Sequence, residues 1–260
     1  MRAGIFQCEG GGLTPDQRIE RLAKALAGER LDLVVCPELF MSGYAIGEAV
    51  VNRAEPVGGP FSKRVAELAR TAGTAIVYGY PERDGDRLYN SAVCLDRSGE
   101  TVANHRKLIL PPGFEARYFE PGNGLTLFDL DGYRCALLVC YDAEFPEPVR
   151  AAAEAGAEII IAPTALIDAW GSVAFQMMPT RAFENGVWLL YANHAGVENG
   201  SRYLGASCIV APDGSDAARA GAAEELIHAE LDRESVSAAQ ARLPYLKDVG
   251  RLRNIIGGTG

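Results

Sequence analysis

Several features are missing from this sequence, and each absence removes a class of function. Lys and Arg number 25 against 34 Asp and Glu, giving a net charge of −9, and the basic residues form no cluster. This balance argues against a nucleic acid or an anionic membrane as the partner. The chain shows no signal-peptide pattern and no apolar run near the roughly 18 residues of a membrane span. We therefore expect a cytoplasmic protein that acts on a small molecule or binds another protein.

Motifs for common cofactors and metals are missing too. The chain has no GxGxxG after a strand, no Walker loop and no GxSxG, since Gly205-Ala-Ser-Cys-Ile209 lacks the final glycine. This disfavours a nucleotide- or flavin-binding module and a serine hydrolase. The six cysteines have no CxxC spacing and the three histidines are scattered, so we expect no zinc site, no disulfides and no cofactor. The cysteines are Cys8, Cys36, Cys94, Cys135, Cys140 and Cys208.

The residues that are present predict one α/β domain spanning 1–260. Apolar residues make up 48% of the chain, which is ample for a large core, and no shift in composition divides it. Thr14-Pro-Asp-Gln17 predicts a helix N-terminus with a capping box and proline at the first position. Turn signals at Asp84-Gly85 and Ser98-Gly99 interrupt the strand–helix alternation with a meander, which implies a mixed sheet. Residues 251–260 are predicted to be a loose tail.

Three polar side chains each follow a predicted buried strand. Glu38 follows the strand that ends at Cys36, and Lys107 ends the strand that begins at Thr101. Cys140 closes an apolar run and precedes a helix that opens at Pro146, so the amides of the helix start would favour its thiolate. Each side chain also has a structural interpretation, because Cys140 could be a core thiol and Glu38 a helix cap or a solvated carboxylate.

The chemistry of these three groups is complementary. A thiol nucleophile needs a base to remove its proton, and a carboxylate in a dry pocket has its pKa raised toward neutrality. An ammonium group beside them would stabilise the oxyanion of a tetrahedral intermediate. The spacing of Glu38, Lys107 and Cys140 along the chain does not by itself show that they meet.

The segments around these residues resemble the three catalytic motifs of the nitrilase superfamily of carbon–nitrogen hydrolases. They are Pro37-Glu38-Leu-Phe with Gly43-Tyr44, His105-Arg-Lys107, and Cys140-Tyr-Asp-Ala-Glu-Phe-Pro-Glu147, and they occur in the order of the family. Further landmarks extend the resemblance over nearly the whole chain: residues 115–122, 162–165, 181–185 and 191–193. One departure is that many relatives have a tryptophan before the Arg-Ala-x-Glu-Asn motif, where this chain has Ala174 and Phe175.

The resemblance implies a four-layer α-β-β-α sandwich with two mixed sheets, assembled at least into homodimers. It also implies roles for five residues: Glu38 as general base, Lys107 as oxyanion-stabilising cation, Cys140 as nucleophile, Glu115 as supporting carboxylate and the Tyr141 amide as second oxyanion donor. Four further side chains are predicted to line the substrate pocket: Tyr44, Tyr118, Glu144 and Asn193.

The activity that the resemblance implies is that of an amidase. It would convert a small carboxamide to a carboxylate and ammonia through a cysteine thioester, without a cofactor. An N-carbamoyl amidohydrolase is the nearest alternative, because the same residues serve a ureido carbonyl, and a nitrilase is a more distant one. A silent relative that acts as a partner protein is disfavoured by the retention of all four polar groups.

Overall fold

The structure is a computed structural model that describes residues 1–257. Its strands are β1 Arg2–Gln7, β2 Leu33–Val35, β3 Ala75–Asp84, β4 Arg87–Leu95, β5 Thr101–Arg106, β6 Thr126–Leu130, β7 Tyr133–Leu137, β8 Ile159–Pro163, β9 Trp188–Ala192, β10 Val197–Glu198, β11 Ser201–Arg202, β12 Cys208–Val210, β13 Asp216–Arg219 and β14 Glu225–Glu230. Its α-helices are α1 Pro15–Leu26, α2 Ala49–Arg53, α3 Pro60–Ala72, α4 Phe114–Tyr118, α5 Tyr141–Glu144, α6 Pro146–Glu154, α7 Met178–Asn185, α8 Arg233–Arg242 and α9 Tyr245–Ile255.

Most strands belong to two six-stranded mixed sheets. The first has the order β14-β1-β2-β3-β4-β5, and the second has the order β13-β12-β9-β8-β7-β6. In each sheet three central strands are parallel, namely β1, β2 and β3 in the first and β7, β8 and β9 in the second. The other neighbours are antiparallel, including the predicted meander of β3, β4 and β5.

The sheets pack face to face with helices on both outer sides. Alternate residues of one strand serve different cores: Leu33 and Val35 of β2 face the second sheet, whereas Val34 faces helices α1 and α3. Helices α6 and α7 cover the outer side of the second sheet. Burial on both faces explains the continuous apolar runs of the central strands. The predicted four-layer α-β-β-α sandwich is confirmed.

Local structure follows the sequence signals at the N-terminus of the chain and departs from them at its end. The Thr14 hydroxyl accepts the Gln17 amide and the Gln17 side chain accepts the Thr14 amide, which is the predicted capping box. The tail predicted from residue 251 is wrong as far as Ile255, because α9 continues to that residue. Its Tyr245 ring packs 6.0 Å from the Phe183 ring and so anchors the helix. Residues 258–260 of the predicted tail lie outside the described residues.

Two further differences lie near the second sheet. A short helix, α5, precedes the helix predicted from Pro146. A helix predicted around 175–185 begins in α-helical geometry only at Met178, after a π-helical turn at Val173–Met177. Within residues 1–257, no helix combines the length and apolar character that crossing a bilayer requires.

Candidate active site

The two sheets contribute different side chains to one end of the sandwich. Glu38 follows β2 and Lys107 follows β5, both in the first sheet, whereas Cys140 lies between β7 of the second sheet and α5. Cys140 has φ +47° and ψ −104°, a region that non-glycine residues rarely occupy. Such a conformation costs about 1–3 kcal/mol and is typical of functional sites.

The carboxylates of Glu38 and Glu115 converge on one ammonium group. The Lys107 Nζ donates to Glu38 Oε1 at 2.7 Å and to Glu115 Oε1 at 2.6 Å. All three side chains are buried. Because a buried charge is costly unless it is paired, this geometry requires the two carboxylates and the ammonium to be kept together.

Two neutral side chains complete the cluster. The Asn90 Nδ2 donates to Glu38 Oε1 at 2.7 Å and to Glu115 Oε2 at 2.8 Å, and the Tyr44 hydroxyl donates to Glu115 Oε1 at 2.7 Å. Glu38 Oε2 is buried and has no hydrogen-bond partner within the described chain. It is therefore the oxygen of Glu38 that is free to receive a proton.

Sequence reasoning missed Asn90. It lies inside β4 between Tyr89 and Ser91, which are both buried, and its own side chain is fully buried. A buried amide in a central strand needs polar partners, and this is the signal that would have marked it.

The Glu38 backbone connects the two sheets. Its amide donates to the carbonyl of Thr164, which follows β8, at 3.3 Å, and its carbonyl accepts the His194 Nε2, which follows β9, at 2.7 Å. Gly79 of β3 allows the backbone at Glu38 to pass close to β3, because a Cβ at position 79 would lie 2.7 Å from the Glu38 Cα. The carboxylate of the first sheet is thereby fixed relative to the second sheet.

The turn after Cys140 leaves one amide available. The Cys140 amide donates to the Pro163 carbonyl at 2.8 Å, but within residues 1–257 the Tyr141 amide has no acceptor. Asp142 holds the turn, since its Oδ2 accepts the Val139 amide at 3.1 Å and lies 3.2 Å from the His105 Nε2. A free amide at a helix start beside the thiol can donate to an oxyanion.

Burial controls the protonation of the site. It raises the pKa of Glu38 to about 7, with a further increase from Glu115, although Lys107 and Asn90 oppose it. Burial disfavours the charge of Lys107, but Glu38, Cys140 and Glu115 raise the pKa of that ammonium above its ordinary value.

The expected thiolate at Cys140 is not supported. Burial, followed by the charge of Glu38, raises the pKa of the thiol well above its ordinary value, and Lys107 only partly offsets this. The thiol therefore needs a base, and Glu38 is a carboxylate with a suitable pKa.

A cavity of about 460 Å³ opens onto Cys140 and Glu115. Its wall is mostly apolar, with a few polar groups, as in small-molecule sites. Of the predicted pocket residues, Tyr44 and Glu144 line it, together with Tyr141. Its apolar wall includes Pro111, Leu166, Ile167, Trp170 and Val173.

Two predicted pocket residues lie elsewhere. Tyr118 does not line the cavity and packs its ring 5.5 Å from the Phe114 ring. The buried Asn193 amide is used by the backbone, because its Oδ1 accepts the Leu166 amide at 2.8 Å and its Nδ2 donates to the Gly205 carbonyl at 2.8 Å. Asn193 thus supports the cavity wall indirectly, by holding the backbone of Leu166.

A tryptophan reaches the cavity from a position that the motif comparison did not indicate. Ala174 is fully buried and Phe175 is exposed, but Trp170, in the 3₁₀ turn Asp168–Trp170, lines the cavity. Within the described part of the chain, no group of three or more His, Cys, Asp or Glu side chains is arranged to hold a metal ion.

Comparison with known proteins agrees with this geometry. The carbon-nitrogen hydrolase family profile matches residues 3–241. This chain belongs to that family. It is 43% identical to the "Hydrolase in pqqF 5'region" of Pseudomonas protegens over 252 residues, 95% of this chain and 88% of the relative. It is 35% identical to the (R)-stereoselective amidase of a Pseudomonas species, covering 95% and 91% of the two chains.

The crystal structure of an amidase from a Nesterenkonia species has the same fold. The two structures share a TM-score of 0.84 at 32% identity, over 94% of each chain. The protein is therefore an enzyme that hydrolyses carbon–nitrogen bonds. Its fold is that of the nitrilase superfamily.

Proposed function

We propose that this carbon-nitrogen hydrolase is an amidase that converts a small carboxamide to a carboxylate and ammonia through a thioester on Cys140. The observation that carries the proposal is the unpartnered Glu38 Oε2, held beside Lys107 in a buried cluster whose third charged member, Glu115, lines the same cavity as Cys140. The similarity to proteins named as amidases supports the same reaction.

In the first step the Cys140 sulfur attacks the amide carbon while Glu38 Oε2 accepts the thiol proton. The carbonyl oxygen becomes an oxyanion, which the Lys107 ammonium and the Tyr141 amide stabilise. One such donor is typically worth roughly 3 kcal/mol. Glu115 holds Lys107 in place through its Oε1.

In the second step Glu38 returns its proton to the amide nitrogen, the carbon–nitrogen bond breaks and ammonia leaves. The acyl group now forms a thioester with Cys140. Water, deprotonated by Glu38, attacks this thioester; the carbon–sulfur bond breaks and the thiol recovers its proton. The overall reaction consumes one amide and one water and yields an acid and ammonia.

Mass spectrometry of the intact protein tests the proposal. Mixing with a slowly hydrolysed amide or an activated ester should give an acyl adduct that peptide mapping places on Cys140. Cys140→Ala should give no adduct, whereas Cys135→Ala, a matched change at a core thiol of β7, should still acylate. Failure to detect an adduct or ammonia with a broad panel of amides would overturn the proposal.

The products separate the amidase from its alternatives. An amide releases ammonia alone, whereas an N-carbamoyl substrate releases ammonia together with carbon dioxide. A nitrilase would consume nitriles. The cytoplasmic location and the homodimer stay predictions, and analytical ultracentrifugation measures the second.

A further inference from the structure

Glu144 is a charged side chain of the cavity wall that the proposed reaction leaves unused. It lies at the end of α5, lines the cavity and is half-buried. Within residues 1–257 its carboxylate forms no ion pair and no hydrogen bond. The guanidinium of Arg181 donates to the Glu144 backbone carbonyl at 2.6 Å and pairs through Nη1 with Glu184 at 3.1 Å, rather than with the Glu144 carboxylate.

The rest of the wall offers this carboxylate no cation. Among the described residues, no arginine or lysine lines the cavity. The nearby ammonium of Lys107 lies in the buried cluster, where Glu38 and Glu115 already accept its hydrogen bonds. Burial raises the pKa of Glu144, as expected for a carboxylate that lacks a partner.

The side chains that line the cavity, taken together with the buried cluster, have a net negative charge. With both carboxylates ionised, Glu38 and Glu115 outweigh Lys107 by one charge, and Glu144 adds a second negative charge to the wall. A substrate carboxylate would meet repulsion without an arginine to receive it, whereas a cation would be attracted.

We propose that Glu144 binds a protonated amine of the substrate, so that the preferred substrates are small carboxamides that carry an ammonium group. This inference rests on the proposed amidase function. It also disfavours substrates with a free carboxylate, which include N-carbamoyl amino acids and monoamides of dicarboxylic acids.

Chain geometry places the two groups a short distance apart. Cys140 immediately precedes α5 and Glu144 is its last residue, so they are separated by about one helical turn. Both side chains line the same cavity. An amine within a few bonds of the amide carbonyl, as in an amide of an amino acid, would therefore reach Glu144 while Cys140 attacks the carbonyl.

Matched substrates test the inference. 2-Aminobutanamide and 2-methylbutanamide differ in a protonated amine against a methyl group of similar size, and succinamate supplies an anion. We expect kcat/KM to be roughly 10- to 100-fold higher for the ammonium compound than for its neutral isostere, as for a hydrogen bond to a charged group. Succinamate should be the poorest of the three.

Paired variants assign the preference to one carboxylate. Glu144→Gln should lower the ratio of kcat/KM between the cationic and the neutral amide to within about threefold of unity. Glu147→Gln removes the same charge from an exposed position at the start of α6 and should keep the wild-type ratio. Inhibition of the wild type needs no variant: propylammonium should inhibit competitively at least about tenfold more strongly than propionate.

The outcomes separate the inference from the proposed function. If the wild type hydrolyses neutral and cationic amides equally, or if Glu144→Gln lowers both rates and keeps their ratio, the role of Glu144 is refuted and the amidase stands. If propionate inhibits as strongly as propylammonium, the inference is also refuted. If no amide is hydrolysed and Cys140 is never acylated, both proposals fail.

Discussion

Replacing Asn90 by aspartate tests how the buried cluster sets the basicity of Glu38. The substitution keeps the shape of the side chain but replaces an amide that donates to two carboxylates with an acid. The amide of Asn90 holds Glu38 Oε1 at 2.7 Å and Glu115 Oε2 at 2.8 Å. If the introduced group is protonated, it can donate to only one of them.

The magnitude follows from the lost hydrogen bond. A hydrogen bond to a charged group contributes about 1.5–3 kcal/mol, so Asn90→Asp should lower the free energy of unfolding by about that amount. An ionised group in its place would add a repulsion of about 4 kcal/mol at 4 Å with an effective dielectric constant of 20, so we expect it to stay protonated. Because a single donor must then serve both carboxylates, the ionised form of Glu38 is less stabilised, and the pKa of that carboxyl should rise by at least about one unit.

The assay is the pH dependence of kcat/KM for a neutral amide, together with urea unfolding. The matched control is Asn104→Asp, because the Asn104 Nδ2 donates to the buried Glu82 at 2.8 Å, outside the site. Asn90→Asp should shift the midpoint of the acid limb upward by at least about one pH unit. Asn104→Asp should lower stability without moving the midpoint. An unchanged midpoint for Asn90→Asp would show that Asn90 does not tune the base.

Three further predictions concern the same cluster. Because Glu38 must be ionised to accept the thiol proton and its pKa is about 7, kcat/KM of the wild type should fall about tenfold per pH unit below that value; a flat profile between pH 5 and 8 would contradict this. Tyr44→Phe removes a hydrogen bond to Glu115 and should lower kcat/KM about tenfold, whereas Tyr118→Phe should have no effect, and equal losses would contradict the assignment. Lys107→Met should lower kcat/KM at least about 100-fold and destabilise the fold by about 3–5 kcal/mol, in contrast to the exposed Lys63→Met; near-normal turnover would exclude Lys107 as an oxyanion donor.

Local patterns were sufficient to predict that Glu38, Lys107 and Cys140 lie at the ends of strands. Each follows a buried strand, and strand ends are readable from apolar runs and the residues that stop them. A mixed sheet followed from the same runs and from the turn signals between them, whereas the sandwich of two sheets came from the family resemblance. The prediction that the three side chains meet came from the family resemblance, because no local pattern reports contact between residues far apart in the sequence.

Other features depend on packing that local patterns do not reveal. Tyr44 and Tyr118 both lie outside the strands, and packing decides that Tyr44 lines the cavity whereas the Tyr118 ring lies 5.5 Å from the Phe114 ring. The protonation of Cys140 depends on its depth, which local helix geometry does not report. Helix α8 has one buried side chain, Val236, so its sequence shows little apolar periodicity.

The division of the site between two sheets has a consequence for how the protein tolerates change. Glu38 belongs to the first sheet and Cys140 to the second. The hydrogen bonds of the Glu38 backbone with Thr164 and His194 fix the position of one sheet relative to the other. Trimming an interior side chain such as Ile161, which fills the space between the layers, would let them settle closer or slide. We therefore expect turnover to fall when core side chains between the sheets are shortened, although these side chains lie away from the cavity.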